Sequence, residues 1–190
     1  MWRFRSRISR CSRELSWPKQ TFLFRATKSI SALSTEVSSA VSESLHRPNC
    51  CLLFEPMAGQ GQMLCARAED LAPYLAAVER HPKAGICLDT CHMFAAGHDL
   101  TAVGGVAAML DELVTAAGPG RVGLVHANDS LLGCGSKRDR HEALGAGKIG
   151  TEPFRELLAA LGDVPFVVET PGGKAGHARD IATLKGLRAA

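Results

Sequence analysis

No CxxC pair occurs among the seven cysteines, Cys11, Cys50, Cys51, Cys65, Cys87, Cys91 and Cys134. The odd count and irregular spacing exclude a disulfide framework and indicate reduced thiols of an intracellular protein. Cys87 and Cys91 flank Asp89 and read as strand and packing cysteines rather than zinc ligands. The chain also lacks an apolar run of the roughly 20 residues that cross a bilayer, so no membrane partner is expected. Residues 51–190 lack any basic excess, with thirteen Lys/Arg against sixteen Asp/Glu. That balance excludes a general electrostatic coat for nucleic acid and leaves a local cluster or metal ions to make such contacts.

Acids are scarce at the start, where Glu14 is the only one before Glu36. Residues 1–50 carry nine Lys/Arg, three Glu and many serines. An Arg-rich, Ser-rich, acid-poor start resembles an organelle transit peptide. The alternative is an arbitrary leader or an unrelated exon, and either way the expected leader is disordered. The compartment is then the mitochondrion if the leader is a transit peptide, and otherwise the nucleus or cytoplasm.

From Cys51 onward the pattern changes. Short apolar runs at Cys51–Phe54, Ala84–Leu88, Val122–Val125 and Phe166–Val168 each precede a glycine-bearing loop and a helix-like segment. The helical segments are Ala68–Arg80, Val103–Ala117, Glu152–Leu161 and His177–Leu187, the third with Thr151 as N-cap and Pro153 in its first turn. This predicts consecutive βα units on a parallel sheet covered on both faces. With 190 residues, one α/β domain over 51–190 plus a tail is expected.

The strand ends carry the chemistry. They read Glu55, Asp89, His126 and Glu169. In a parallel sheet or barrel, side chains at the carboxyl ends of strands converge on one mouth. One polar tip can be a cap, but four of metal-ligand type need a cation. His92 follows Asp89, and Asp139 and His141 lie in the loop after the third strand. An ion of zinc type takes about four ligands, some of them water, so seven donors suggest at least two ions. Carboxylates and imidazoles without thiolates suit zinc or manganese at a hydrolytic site. Paired ions of this kind hold a phosphate ester and activate water.

Several long motifs then resemble the endonuclease IV family. They are Glu55-Pro-Met-Ala-Gly-Gln-Gly61, Cys87-Leu-Asp-Thr-Cys-His-Met-Phe-Ala-Ala-Gly97, His126-Ala-Asn-Asp-Ser130, Gly135-Ser-Lys-Arg-Asp-Arg-His-Glu142, Gly145-Ala-Gly-Lys-Ile-Gly150 and Glu169-Thr-Pro171. The resemblance covers about residues 51–190. It implies a zinc-dependent apurinic/apyrimidinic endonuclease of base excision repair, cutting double-stranded DNA 5′ to an abasic site. It implies a TIM (β/α)8-type barrel, of which this chain offers about four C-terminal units. Asp89, His126 and Glu169 hold one zinc by this resemblance, and His92, Asp139 and His141 a second. Glu55 bridges to a third. Glu55, Asp89 and Glu169 are the implied catalytic carboxylates.

A complete barrel needs about 250 residues, and the family takes two histidines of the third site from its first half. Residues 1–50 do not replace them, so about two zincs are expected here. His46 precedes the first strand and belongs at the wrong end of the sheet. His98 stands where the family has an aromatic residue, as a loop histidine with an ordinary hydrogen bond. Lys137, Arg138 and Arg140 adjoin the Asp139/His141 pair and read as DNA phosphate contacts. Open sheet edges suggest a homodimer. The competing functions are a xylose isomerase-like sugar isomerase and a non-catalytic zinc-binding remnant. The second donor cluster speaks against the isomerase.

Overall fold

A computed structural model describes residues 20–25, 50–61 and 63–189. Strands β1 (Gln20–Arg25), β2 (Cys50–Glu55), β3 (Ala84–Asp89) and β4 (Val122–His126) precede a two-residue hairpin of β5 (Asp129–Ser130) and β6 (His141–Glu142); β7 is Phe166–Val167. A 3-10 turn, Ala68–Asp70, leads into helix α1 (Leu71–Ala77). Helices α2 (Thr90–Ala96), α3 (Gly105–Ala117), α4 (Glu152–Leu161) and α5 (Gly173–Ala189) follow.

The main sheet is parallel throughout, in the order β1-β2-β3-β4-β7. This is part of a TIM-type barrel wall. Strand alternation explains it. Leu52, Phe54, Ile86, Leu88 and Val125 point to the helices, where they pack with Leu71, Tyr74, Met109, Leu113, Phe154 and Leu157. Cys51, Leu53 and Cys87 point to the other face, against Leu23 and Leu124. Apolar side chains on both faces produce the continuous runs seen in sequence. Each large aliphatic group buried here contributes roughly 1.5–3 kcal/mol. The register is regular except for a shift between Ile86 and Cys87, where β3 pairs first with Val122 and then with Leu124.

Three expectations need correction. First, the expectation of a leader without regular structure fails at Gln20–Arg25, which pairs in register with β2 from Gln20↔Cys50 to Arg25↔Glu55. The run Thr21-Phe-Leu-Phe24 has the residues of a strand, but its basic, serine-rich surroundings mask the signal. The transit-peptide reading and His46 otherwise lie outside the described residues. Second, Thr90–Ala96 is a helix rather than a loop, all of it buried except the partly exposed Ala96. It is seven residues long and Gly97 ends it at φ +112°, donating its N–H to Met93 O and Phe94 O. Third, β7 stops at Val167, two residues short of Glu169, and His141 lies on β6.

Candidate metal centre

Parallel strands place Glu55, Asp89 and His126 at one mouth, each as the last residue of its strand. Asp89 and His126 are direct register partners. Asp89 also caps α2, its Oδ1 accepting the His92 N–H at 3.0 Å. That cap turns the chain sharply and brings the His92 side chain back over the mouth. The β5–β6 hairpin places His141 opposite Ser130. Asp139 is held by its N–H, which donates to Gln60 Oε1 at 3.2 Å. Glu169 is held by its N–H, which donates to Asn128 Oδ1 at 2.8 Å.

All seven sequence-derived donors meet. His126 Nδ1 lies 3.0 Å from Glu55 Oε1, 3.7 Å from Asp89 Oδ2 and 3.6 Å from Glu169 Oε2. His92 Nε2 lies 3.3 Å from Asp139 Oδ2, and His141 Nε2 lies 3.0 Å from Asp139 Oδ1. His141 Nε2 is also 3.7 Å from Asp89 Oδ2. His92 Nδ1 is fixed by the Pro56 carbonyl at 3.0 Å and His141 Nδ1 by the Glu169 carbonyl at 3.3 Å. A backbone acceptor on Nδ1 leaves the lone pair on Nε2, the arrangement of a metal-binding imidazole.

The electrostatics agree with that geometry. Glu55 and Asp89 are fully buried. Burial opposes a charged His92 imidazolium, yet Asp89, Asp139 and Glu55 outweigh it and lift the group to about 9. Burial likewise opposes charge on His126 and His141, and their carboxylate neighbours raise both. Contacts from His141 and then His92 hold Asp139 far below the usual carboxylate range. Four carboxylates and three imidazoles so close together are a donor set that a bound cation would stabilise.

The donors fit a divalent metal. His92 Nε2 and His141 Nε2 are buried, and neither meets a neighbour with hydrogen-bond geometry. Ligand atoms of Asp89, His126 and Glu169 lie within 4.8 Å of one another, as do those of Asp89, His92 and His141. Cys91 and Cys87 also approach such groups. Burial pushes the Cys91 thiol up to about 11, and its Sγ faces the Arg140 carbonyl at 3.6 Å.

The remaining residues divide. Lys137, Arg138 and Arg140 stay exposed on the loop that carries Asp139. Lys137 adopts φ +52°, a left-handed conformation, with its N–H donating to Ala95 O at 2.9 Å. His98 is not brought to the metal donors; its Nδ1 lies 3.2 Å from Glu112 Oε2. Sequence reasoning missed Asn128, Asp129 and Thr90, which are fully buried around the centre. The available signal was a polar run continuing past His126, where a strand or an exposed loop offers polar groups no reason to be buried.

The fold is that of a known barrel class: the model of the xylose isomerase-like TIM barrel family matches residues 33–187. Within that class the relatives are specific. The chain is 54% identical over 150 residues to a probable endonuclease 4 of Streptomyces coelicolor, covering 78% of this chain and 51% of that protein. It is 44% identical over 156 residues to a probable endonuclease 4 of Oleidesulfovibrio alaskensis, covering 80% and 53%. The crystal structure of endonuclease IV from Thermus thermophilus superposes with a TM-score of 0.75 at 33% identity, covering 88% of this chain and 61% of that one. The chain belongs to the endonuclease IV family. It spans about half the length of the curated relatives it matches.

Proposed function

We propose that this chain is a zinc-dependent apurinic/apyrimidinic endonuclease of base excision repair. Its substrate is double-stranded DNA containing an abasic site, cut on the 5′ side. The observation that supports this most is the convergence of four carboxylates and three imidazoles on one strand mouth, in a chain of this family. Asp89, His126 and Glu169 hold one ion, and His92, Asp139 and His141 a second. Glu55 is buried with its Oε1 3.0 Å from His126 Nδ1 and 3.7 Å from His92 Nδ1, and it would be the donor toward a third ion. Bound there, such ions neutralise phosphate charge, activate water and stabilise the leaving oxygen. Zinc suits the mixed imidazole and carboxylate set, with manganese as the alternative.

The chain's own groups bind and orient. Lys137, Arg138 and Arg140 project from the Asp139 loop and contact DNA phosphates. Substituting alanine for any one of the three should lower the slope of log affinity against log salt by about 0.9. The sugar isomerase reading shares the strand-tip donors but has no use for the His92–Asp139–His141 cluster.

Metal analysis and incision of a duplex bearing one abasic site test the proposal together. The expected result is near two zinc ions per chain and a single nick 5′ to the lesion. Zinc without incision favours the non-catalytic zinc-binding reading, and no metal at all rejects both.

A further inference from the structure

Asn128 and Asp129 are adjacent, fully buried, and used by no step above. Their side chains diverge. Asn128 faces the first donor cluster: its Nδ2 donates to Asp89 Oδ2 at 2.8 Å, and its Oδ1 accepts the Glu169 N–H at 2.8 Å. One carboxamide therefore holds the carboxylate of Asp89 and the backbone of Glu169, two members of the Asp89–His126–Glu169 cluster. Its backbone is itself locked by Thr90, whose Oγ1 donates to Asn128 O at 2.6 Å and accepts the Asn128 N–H at 2.9 Å.

Asp129 faces the other way. Its Oδ1 accepts the N–H groups of Ser130 at 2.7 Å and Ile149 at 2.8 Å. Its Oδ2 accepts those of Gly145 at 2.9 Å, Gly147 at 3.0 Å and Gly150 at 3.3 Å. Five backbone donors on one side chain require an anionic acceptor; an amide would turn its own N–H groups against two or three of them. The loop so gathered follows β6 directly, and β6 carries His141. Asp129 also pairs with Glu142 across the hairpin. The segment bearing His141 is thus fixed on one side by the Asp129 backbone and on the other by the Asp129 carboxylate. Gly147 leaves no slack, since a Cβ there would run into Asp129 Oδ1 and Ser130 O.

We infer that Asn128 and Asp129 are positioning residues for two different metal sites, Asn128 for the Asp89–His126–Glu169 site and Asp129 for the His92–Asp139–His141 site. This rests on the two-ion reading above. Groups that orient metal ligands typically change affinity by about 10–100-fold. Each substitution should therefore weaken one ion and spare the other.

Zinc content after dialysis, and cobalt absorption after substitution, read this without reference to incision. The wild-type chain should hold two ions; fewer would reject the two-ion reading itself and not the division of labour. Given two, Asn128→Ala and Asp129→Asn should each retain one. The pairing is read by combination with His141→Ala. Asp129→Asn with His141→Ala should retain one ion, because both changes strike the same site. Asn128→Ala with His141→Ala should retain none. The reverse pattern, two tightly held ions in either single variant, or equal weakening of both sites by each change, would overturn the inference. Gly147→Ala displaces the same loop without altering charge. If Asp129→Asn does not unfold cooperatively, Gly147→Ala replaces it and should give the same cobalt spectrum, that of the first site alone.

Discussion

Asp139 and His141 show how single side chains set the properties of the centre. His141→Ala should remove one zinc and leave the Asp89 site mostly filled. Metal analysis decides this, and joint loss of both ions contradicts the assignment to two clusters. His92 supplies a pH signature. Its folded value, about 9, lies above the ordinary 6.5. In the metal-free chain that difference stabilises the fold fully below pH 6.5 and is lost as pH rises through about 9. The metal-free melting temperature should fall across that window. Zinc requires a neutral imidazole, so its uptake there should release protons, measurable by calorimetry in buffers of different ionisation enthalpy. Lys137 carries a third expectation. A left-handed non-glycine residue costs about 1–2 kcal/mol, so Lys137→Gly should leave stability unchanged or raise it by up to about 1 kcal/mol. Affinity for duplex DNA should drop several-fold at the same time. Unaltered affinity would remove Lys137 from the DNA contacts.

The elements were legible in the sequence unevenly, and the reasons are physical. Strands β2, β3 and β4 were legible because a sheet buried on both faces gives uninterrupted apolar runs. Helix α4 was legible to the residue, with Pro153 in its first turn, although Thr151 precedes it without a side-chain capping bond. Helix α2 was missed because its seven residues are almost all buried, so it has no polar stripe to reveal a helical period. β1 was missed because its signal is six residues long inside a basic tract. The seven residues read as donors converge in the structure, since each sits at a strand tip or in a motif. The buried Asn128 and Asp129 were not singled out, because a polar run past a strand tip reads as an exposed loop. Phe154 on α4 gives an element-scale test. It is fully buried between sheet and helix, and Phe154→Ala should cost about 3–5 kcal/mol by chemical unfolding. A loss below about 1 kcal/mol would mean α4 does not seal the sheet.

At the scale of the whole molecule, the parallel wall has β1 at one end and β7 at the other among the described residues. No helix among them is long and apolar enough to cross a membrane. We propose that pairing between copies protects these ends. Sedimentation should then report twice the chain mass; a monomer with cooperative unfolding would sink the idea. The metal centre ties β2, β3, β4, the hairpin and the segment after β7 into one cluster. Stripping the ions should therefore lower stability globally, by about 2.7 kcal/mol for each site whose free ion stands at 100 times its dissociation constant.

The register shift between Ile86 and Cys87 has a chemical consequence at the mouth. Side chains alternate along a strand, so a slip of one residue sends every following group to the opposite face. The extra residue in β4 is Gly123, between the Val122 and Leu124 partners. With uniform pairing from Val122 onward, Asp89 would stand beside Val125 instead of His126. An isopropyl group would then occupy the place of an imidazole. The identity of the ligand is thus written by a skipped rung in the ladder as much as by the histidine codon.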